Sequence, residues 1–486
     1  MQQAIRAQLG RFSPVQLAFW GSLLLSLIAY MGVVTIGKDG AFYVDVAQTF
    51  LDDGISATFQ RFNWPWFPML LGVTHEVTGI PLETCAYLWC ALLLAGTCAL
   101  LVDCVSQRAP QACYWAVLVV LAMPSFNTFR ADIIREYGLW FFAVLALWLA
   151  MRWHSRGGWC LAAGAQMAVA AAALFRLEAL MLVAAFSLWI FPGLGKRSGW
   201  LRLFQLNWLP LLAGVAGLVA LVSGQVFSQG RVEYYLTLLD PRQIGVAFHQ
   251  LAGQFADTLK YKYSKDEAGQ IIFFGILAAI LIKLAALFGP FLLPYLTRRG
   301  RASVSDYRRK FALFAWGWLL YLAVLLLFFI HEQFINSRYV SFLALLAVPA
   351  VALAVTSSVG GSPRLGKVWV VLVLLVMLDN VVSLGAKKTH YIEAGRWLSE
   401  HYQKTAAVFY DDPRIGYYAG WGYPIGQQVS VLDLLPEQIR RYQIFIVEAD
   451  SDEAWLNDWI VSNGLQRVVQ FANRKGDAVH VIVHAQ

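Results

Sequence analysis

Residues 159–192 read WCLAAGAQMAVAAAALFRLEALMLVAAFSLWIFP, an apolar run interrupted at its middle by Arg176 and Glu178. A membrane-crossing helix needs about 20 apolar residues, so this run is too long for one span and short for two. A charge at bilayer depth costs on the order of 2.5–3.5 kcal/mol on insertion scales, so two of them in such a run need a reason. The stretch therefore reads as two short helices joined at Arg176, Leu177 and Glu178. A helix of about 15 residues rises only roughly 22 Å, which leaves the turn below the membrane surface. A polar cavity reaching into the membrane would accommodate it, and an internal ion pair is the alternative.

Working outward, 59% of the 486 residues are hydrophobic and only 14% are charged, which places the chain among polytopic α-helical membrane proteins rather than soluble domains. Further apolar runs lie near 15–36, 84–103, 111–126, 134–151, 204–228, 271–294, 311–330, 339–358 and 367–385. With 159–192 counted as two, they give about 11 transmembrane helices. Placing the amino terminus inside puts a basic loop at every cytoplasmic position: Arg6 and Arg11, Arg108, Arg152 and Arg156, Lys196 to Arg202, Arg298 to Lys310, then Arg364 and Lys367. Merging 159–192 into one span would put the strongly basic loop 298–310 outside, which favours the broken reading. The net charge of +8 sits mainly in these loops and reports orientation, so no nucleic-acid partner is expected. The run at 15–36 is span-length and lacks a small-residue cleavage site, so it is expected to stay as the first helix.

Everything after residue 385 then lies on the outer face. There the chain changes character, with strand-like runs at 406–410, 429–432, 442–449 and 479–485 between helical patterns at 390–403 and 452–463. This predicts two domains: a membrane domain over 1–385 that includes an external loop at 37–83, and a soluble extracytoplasmic α/β domain with a partly parallel sheet over 386–486. The six cysteines have no metal-site spacing, none follows residue 160, and all read as small buried hydrophobes without disulfides.

The groups that could do chemistry fall on the outer side. Asp39, in GKDGAFYVDVAQTF at 37–50, precedes a short amphipathic pattern that Gly54 ends. It reads either as a helix cap or as a general base shielded by Phe42, Tyr43 and Trp64. Asp45 falls inside that helix and reads as solvated or structural. RFNWPWFPMLLG at 61–72 begins with Arg61 and sets Trp64 and Trp66 beside two prolines expected to break any helix; the rings suit an interfacial anchor or a cavity wall. FRADIIREYG at 129–138 carries Arg130, Asp132, Arg135 and Glu136, which local ion pairs at a loop end would explain. Arg338 and Tyr339 follow His331 and Glu332 at the start of a late span; a guanidinium there could anchor a helix end or hold a phosphate.

GKDGAFY, PWFPMLLG, FRADIIREYG, FRLEALML and SRYVSFLALLAVP, in this order along residues 10–385, together resemble the GT-C glycosyltransferases. In pattern they are most similar to bacterial lipid A aminoarabinose transferases and protein O-mannosyltransferases. The resemblance implies an inverting glycosyltransferase in the cytoplasmic (inner) membrane. Its donor would be a polyprenyl-phosphate sugar, usually on undecaprenyl phosphate, and its acceptor an extracytoplasmic glycan, lipid or protein. It carries Asp39 over as the base or metal-associated carboxylate and Asp132 as a second acidic residue. Arg176, Arg338 and Arg130 are assigned to the donor phosphate, from position more than motif. Tyr43, Arg61, Trp64, Trp66, Glu178, His331 and Glu332 are assigned to the cavity. A divalent cation is left open, since one or two carboxylates do not define a site. Gly40 follows Asp39 where protein O-mannosyltransferases have Glu, and WWDYG is absent, which argues against an oligosaccharyltransferase. A transporter or flippase, and a glycan ligase or polymerase, are the competing readings.

Overall fold

The computed structural model describes residues 12–222, 240–359, 363–382, 385–425 and 430–485. Arg6 and Arg11, the expected span 204–228 beyond residue 222, and residue 429 lie outside these. The chain divides into two compact units. One contains residues 1–29, 88–131 and 135–382; the other contains 30–87, 132–134 and 383–486. The expected division at residue 385 thus differs from the structural one: the segment after the first span belongs with the carboxy-terminal domain.

The first unit is built of apolar helices. Pro14–Met31 turns Ala18, Ser22, Ser26 and Ala29 inward while Trp20, Leu24, Leu27 and Met31 stay exposed, the small-inside, large-outside pattern of helices that pack in lipid. Trp159–Phe175 ends where Arg176 turns extended (φ −151°, ψ 125°), and Leu177–Leu180 and Met181–Ile190 follow, so the chain breaks where the charges forecast it. Gly138 allows this junction: a Cβ there would lie 2.1 Å from the Phe175 ring. Ser337–Leu346 and Val348–Val359 meet at 60°. Pro349 follows the bend, and the Tyr307 hydroxyl donates to the Leu346 carbonyl at 3.2 Å, one of the side-chain bonds that broken helices use to satisfy freed backbone groups.

Among the described residues, four helices are long and apolar enough to cross a membrane, or five with the bent pair counted as one span, against about 11 expected. Part of the shortfall is a matter of length. Pro110–Ala122, Trp159–Phe175 and Leu177–Gly193 are apolar but short. Glu136–Arg156, Arg197–Val222 and Pro363–Val381 occupy three more of the expected positions.

In the second unit, helix Lys38–Arg61 is kinked at Gly54, whose φ of 81° only glycine adopts readily. Trp66–Thr78 is also helical, contrary to expectation: Pro65 caps it and Pro68 lies in its first turn, where no backbone N–H is needed. The carboxy-terminal part forms a four-stranded sheet of β1 (Val408–Tyr410), β2 (Ile444–Asp450), β3 (Leu465–Ala472) and β4 (Asp477–His484) in the order β1-β2-β4-β3. β1 and β2 are parallel and the remaining pairs antiparallel. One face packs on Tyr391, Leu398 and Ile415, and the other on Leu456, Trp459 and Ile460. The expected strand at 429–432 is instead a 3₁₀ turn at Val431–Asp433, and β3 was not anticipated.

Candidate active site

In the first unit, the buried Arg176 lies among carboxylates from two elements. Its Nη1 donates to Glu136 Oε1 at 2.7 Å, and its Nε and Nη2 donate to Glu178 Oε1 at 3.1 and 2.5 Å. Arg338 Nε lies 3.1 Å from the same Glu136 oxygen, and the Arg176 guanidinium stacks 4.4 Å over the Tyr339 ring. Two arginines and two glutamates thus offset one another, with Arg135 also acting on both glutamates, which is how charges buried in apolar surroundings are tolerated. The cleft beside them, lined by Arg176, Glu178, Tyr321, Phe328 and Tyr339, is narrow: its volume of about 10 Å³ is at the lower limit for holding one water. Arg176 is committed to two carboxylates. Arg338 keeps 20% of its side chain exposed and follows Asn336, whose side chain caps the helix.

His331 and Glu332 pair with one another at 3.0 Å at the end of helix Ala312–Glu332. Arg130 lies inside the protein, where Nε donates to Asn127 Oδ1 at 2.9 Å and Nη1 donates to Ser22 O and Ser26 Oγ, each at 2.8 Å. It ties the first helix to the 127–130 turn.

In the second unit, Asp39 is in the first turn of helix Lys38–Arg61, but the cap position belongs to Gly37 and carries no side-chain bond. The capping role considered for Asp39 is therefore not the one it plays. It stands half-buried where a helix N-terminus favours negative charge. The Asp132 carboxylate comes to the same turn, 3.6 Å from where a Cβ on Gly37 would be, and Ile133 packs against Gly40. Asp132 thus stands beside Gly37, the residue that precedes Lys38 and Asp39 at this helix start.

Asp45 is structural. Arg61 Nε donates to its Oδ2 at 2.7 Å and Arg61 Nη2 reaches the same oxygen, while Tyr423 N donates to its Oδ1 at 2.8 Å. Tyr43 is buried against Phe62 and Phe67, with ring centroids 6.2 and 5.6 Å away. Trp64 and Trp66 form an edge pair at 6.4 Å, with Trp66 exposed.

After β1 come residues that sequence reasoning passed over. Burial pushes the Asp411 carboxyl up to about 6. Burial acts on Asp412 in the same direction, but the hydrogen bonds and charge of Arg414 outweigh it and hold Asp412 below the usual carboxylate range. Burial, with Asp412, Asp39 and Asp45 nearby, pushes Tyr423 up to about 12. The signal available in the sequence was the pair DD directly after a strand-like run, where the carboxyl ends of parallel strands gather functional groups. Among the described residues, no group of three or more His, Cys, Asp or Glu side chains could hold a metal ion.

No protein-family model matches the chain, and no curated protein does. Among solved structures it is similar to the arabinofuranosyltransferase AftD from Mycobacteria, at 16% identity and TM-score 0.49 over 97% of this chain and 41% of that one. It is similar to the oligosaccharyltransferase of Archaeoglobus fulgidus tethered to an acceptor peptide, at 11% identity and TM-score 0.49 over 89% and 69%. A third is ArnT from Cupriavidus metallidurans bound to undecaprenyl phosphate, at 14% identity and TM-score 0.45 over 95% and 96%. The chain spans less than half the length of the first of these.

Proposed function

We propose that this protein is an integral-membrane inverting glycosyltransferase. It moves a monosaccharide from a polyprenyl phosphate, of the undecaprenyl type, to an acceptor on the outer face of the cytoplasmic membrane. The acceptor class is lipid A, a surface glycan or a protein. The observation that supports the reading is Asp39 in the first turn of a helix that follows the first apolar helix, with Asp132 beside Gly37 at the start of that turn.

Asp39 takes the acceptor hydroxyl or amine proton as the acceptor atom attacks the anomeric carbon. The bond from that carbon to the phosphate oxygen breaks with inversion, and its electron pair leaves with the polyprenyl phosphate. Phosphate is already a competent leaving group, so the work is alignment and stabilisation of developing negative charge. Within the first unit, Arg338 rather than Arg176 is the guanidinium proposed for the donor phosphate, because Arg176 is committed to Glu136 and Glu178. Arg176 then keeps Glu136 and Glu178 ordered. Asp132 supports the Asp39 turn.

The test is mass spectrometry of lipid extracts from cells with and without the gene. A polyprenyl-phosphate monosaccharide should accumulate on deletion, and its mass would identify the sugar class. Unchanged donor lipid together with unchanged surface glycans would favour a transporter.

A further inference from the structure

Buried charge in the carboxy-terminal domain has no lipid to explain it. Asp412 has no exposed surface and Arg414 is 8% exposed. Two apolar residues of similar size would hold a fold as well or better than such a pair, so its geometry merits a reason. Arg414 Nε donates to Asp412 Oδ1 at 2.9 Å and Nη2 to Oδ2 at 2.7 Å, a two-pronged pairing that fixes the plane of the guanidinium. What remains, Nη1, donates to the carbonyl of Ile36 at 3.3 Å. The Ile36 N–H in turn donates to the Tyr418 hydroxyl at 2.8 Å. Ile36 is 1% exposed, so both of its backbone polar groups need partners. Lys38 Nζ reaches Asp412 Oδ2 at 3.3 Å. Past Asp39, the Phe42 ring meets Tyr423 at 5.4 Å and Asp45 accepts the Tyr423 N–H. These contacts fall at residues 36, 38, 42 and 45, on both sides of Asp39, and all come from the 412–423 segment.

We propose that Asp412, Arg414 and Tyr418 form a positioning clamp for the Asp39 turn, so that the carboxy-terminal domain acts on the reaction by fixing a carboxylate rather than by binding the acceptor. This rests on the reading of Asp39 as the base. The three are positioning residues, since none needs to touch substrate. Arg414 sets the carbonyl of Ile36 and Tyr418 its N–H, which fixes where helix Lys38–Arg61 begins and therefore where the Asp39 carboxylate stands. Misplacing a reacting group by about 1 Å costs about 10²-fold in rate, so a clamp of this kind controls turnover without controlling affinity.

The test uses the full chain in membranes, with donor lipid extracted from the deletion strain and membranes of that strain as acceptor. Arg414→Ala should lower kcat about 10²-fold and Tyr418→Phe about tenfold, with KM for the donor lipid within about threefold of wild type. Arg414→Lys should recover part of the loss. Thermal unfolding identifies any variant that fails to fold, and Tyr418→Phe, which removes one oxygen from a half-buried ring, keeps the test open if Arg414→Ala does. Wild-type kcat in folded Tyr418→Phe and Arg414→Ala would overturn the clamp, as would a raised KM at unchanged kcat. Asp39→Asn assayed alongside separates the two readings. If it is inactive while the clamp variants are fully active, the clamp alone fails; if it is fully active while they lose kcat, the base reading fails and the clamp, which rests on it, fails with it.

Discussion

Replacing Glu136 with glutamine keeps the shape of the side chain and removes the charge that two arginines share. Glu136 is 2% exposed, with Arg176 Nη1 at 2.7 Å and Arg338 Nε at 3.1 Å from one oxygen. Arg176, Arg338 and the nearby Arg135 carry +3 and Glu136 and Glu178 −2, so the variant raises the net charge of the cluster from +1 to +2. Breaking a buried pair by removing one partner costs about 3–5 kcal/mol. Glutamine still offers a carbonyl oxygen to Arg176, which places the loss near the lower figure. At about 2 °C per kcal/mol for a unit larger than those that shift by about 2–4 °C, the unfolding midpoint should fall by about 6 °C. Thermal unfolding of purified protein in one detergent reads this directly. The double variant Glu136→Gln with Arg338→Gln should recover part of the loss, with a coupling of at least about 1 kcal/mol. A midpoint within about 1 °C of wild type, or strictly additive losses, would refute the view that Glu136 is the carboxylate holding both guanidinium groups.

Gly138→Ala puts a methyl group 2.1 Å from the Phe175 ring, and overpacking of this kind costs about 1–3 kcal/mol; a lowered unfolding midpoint checks it, and Gly214→Ala, with open space around it, should cost less. Asp411 has its carboxyl raised to about 6 in the folded protein, so the native state binds more protons than the unfolded chain between about pH 4 and 6. Its contribution is therefore fully present below the lower value and is lost as pH rises through the upper one. Comparing the unfolding midpoint of wild type and Asp411→Asn from pH 4 to 7, wild type should lose ground to the variant as pH rises, and parallel curves would contradict this.

The membrane class and the break at Arg176 were readable because both follow from a large single cost, that of placing charge in hydrocarbon. The start of helix Lys38–Arg61 was readable for the same kind of reason, an apolar run giving way to a pattern of helical period. Trp66–Thr78 was misread because proline composition was weighed without its position, and a proline in the first turn breaks no bond. β3 was missed because Gln466, Arg467 and Gln470 give it the mixed surface of an edge strand next to β4, with a register shift between Arg467 and Val469. Asp39 and Asp132 were legible singly as acids in external loops, but the placing of Asp132 beside Gly37 depends on tertiary folding. Asp412 and Arg414 lay further out of reach, because their partners at Ile36 and Lys38 are hundreds of residues away and no local pattern records them. The pairing of Arg176 with Glu136 is of the same kind, a contact across 40 residues that no local pattern records.

The most direct test of the central claim restores the gene to the deletion strain as wild type or as Asp39→Asn, matched for membrane level and unfolding midpoint, and measures the lipid-linked monosaccharide by mass spectrometry. A base at Asp39 predicts that wild type clears the accumulated donor and Asp39→Asn leaves it at the level of the deletion. Clearance by Asp39→Asn at the wild-type rate would contradict it.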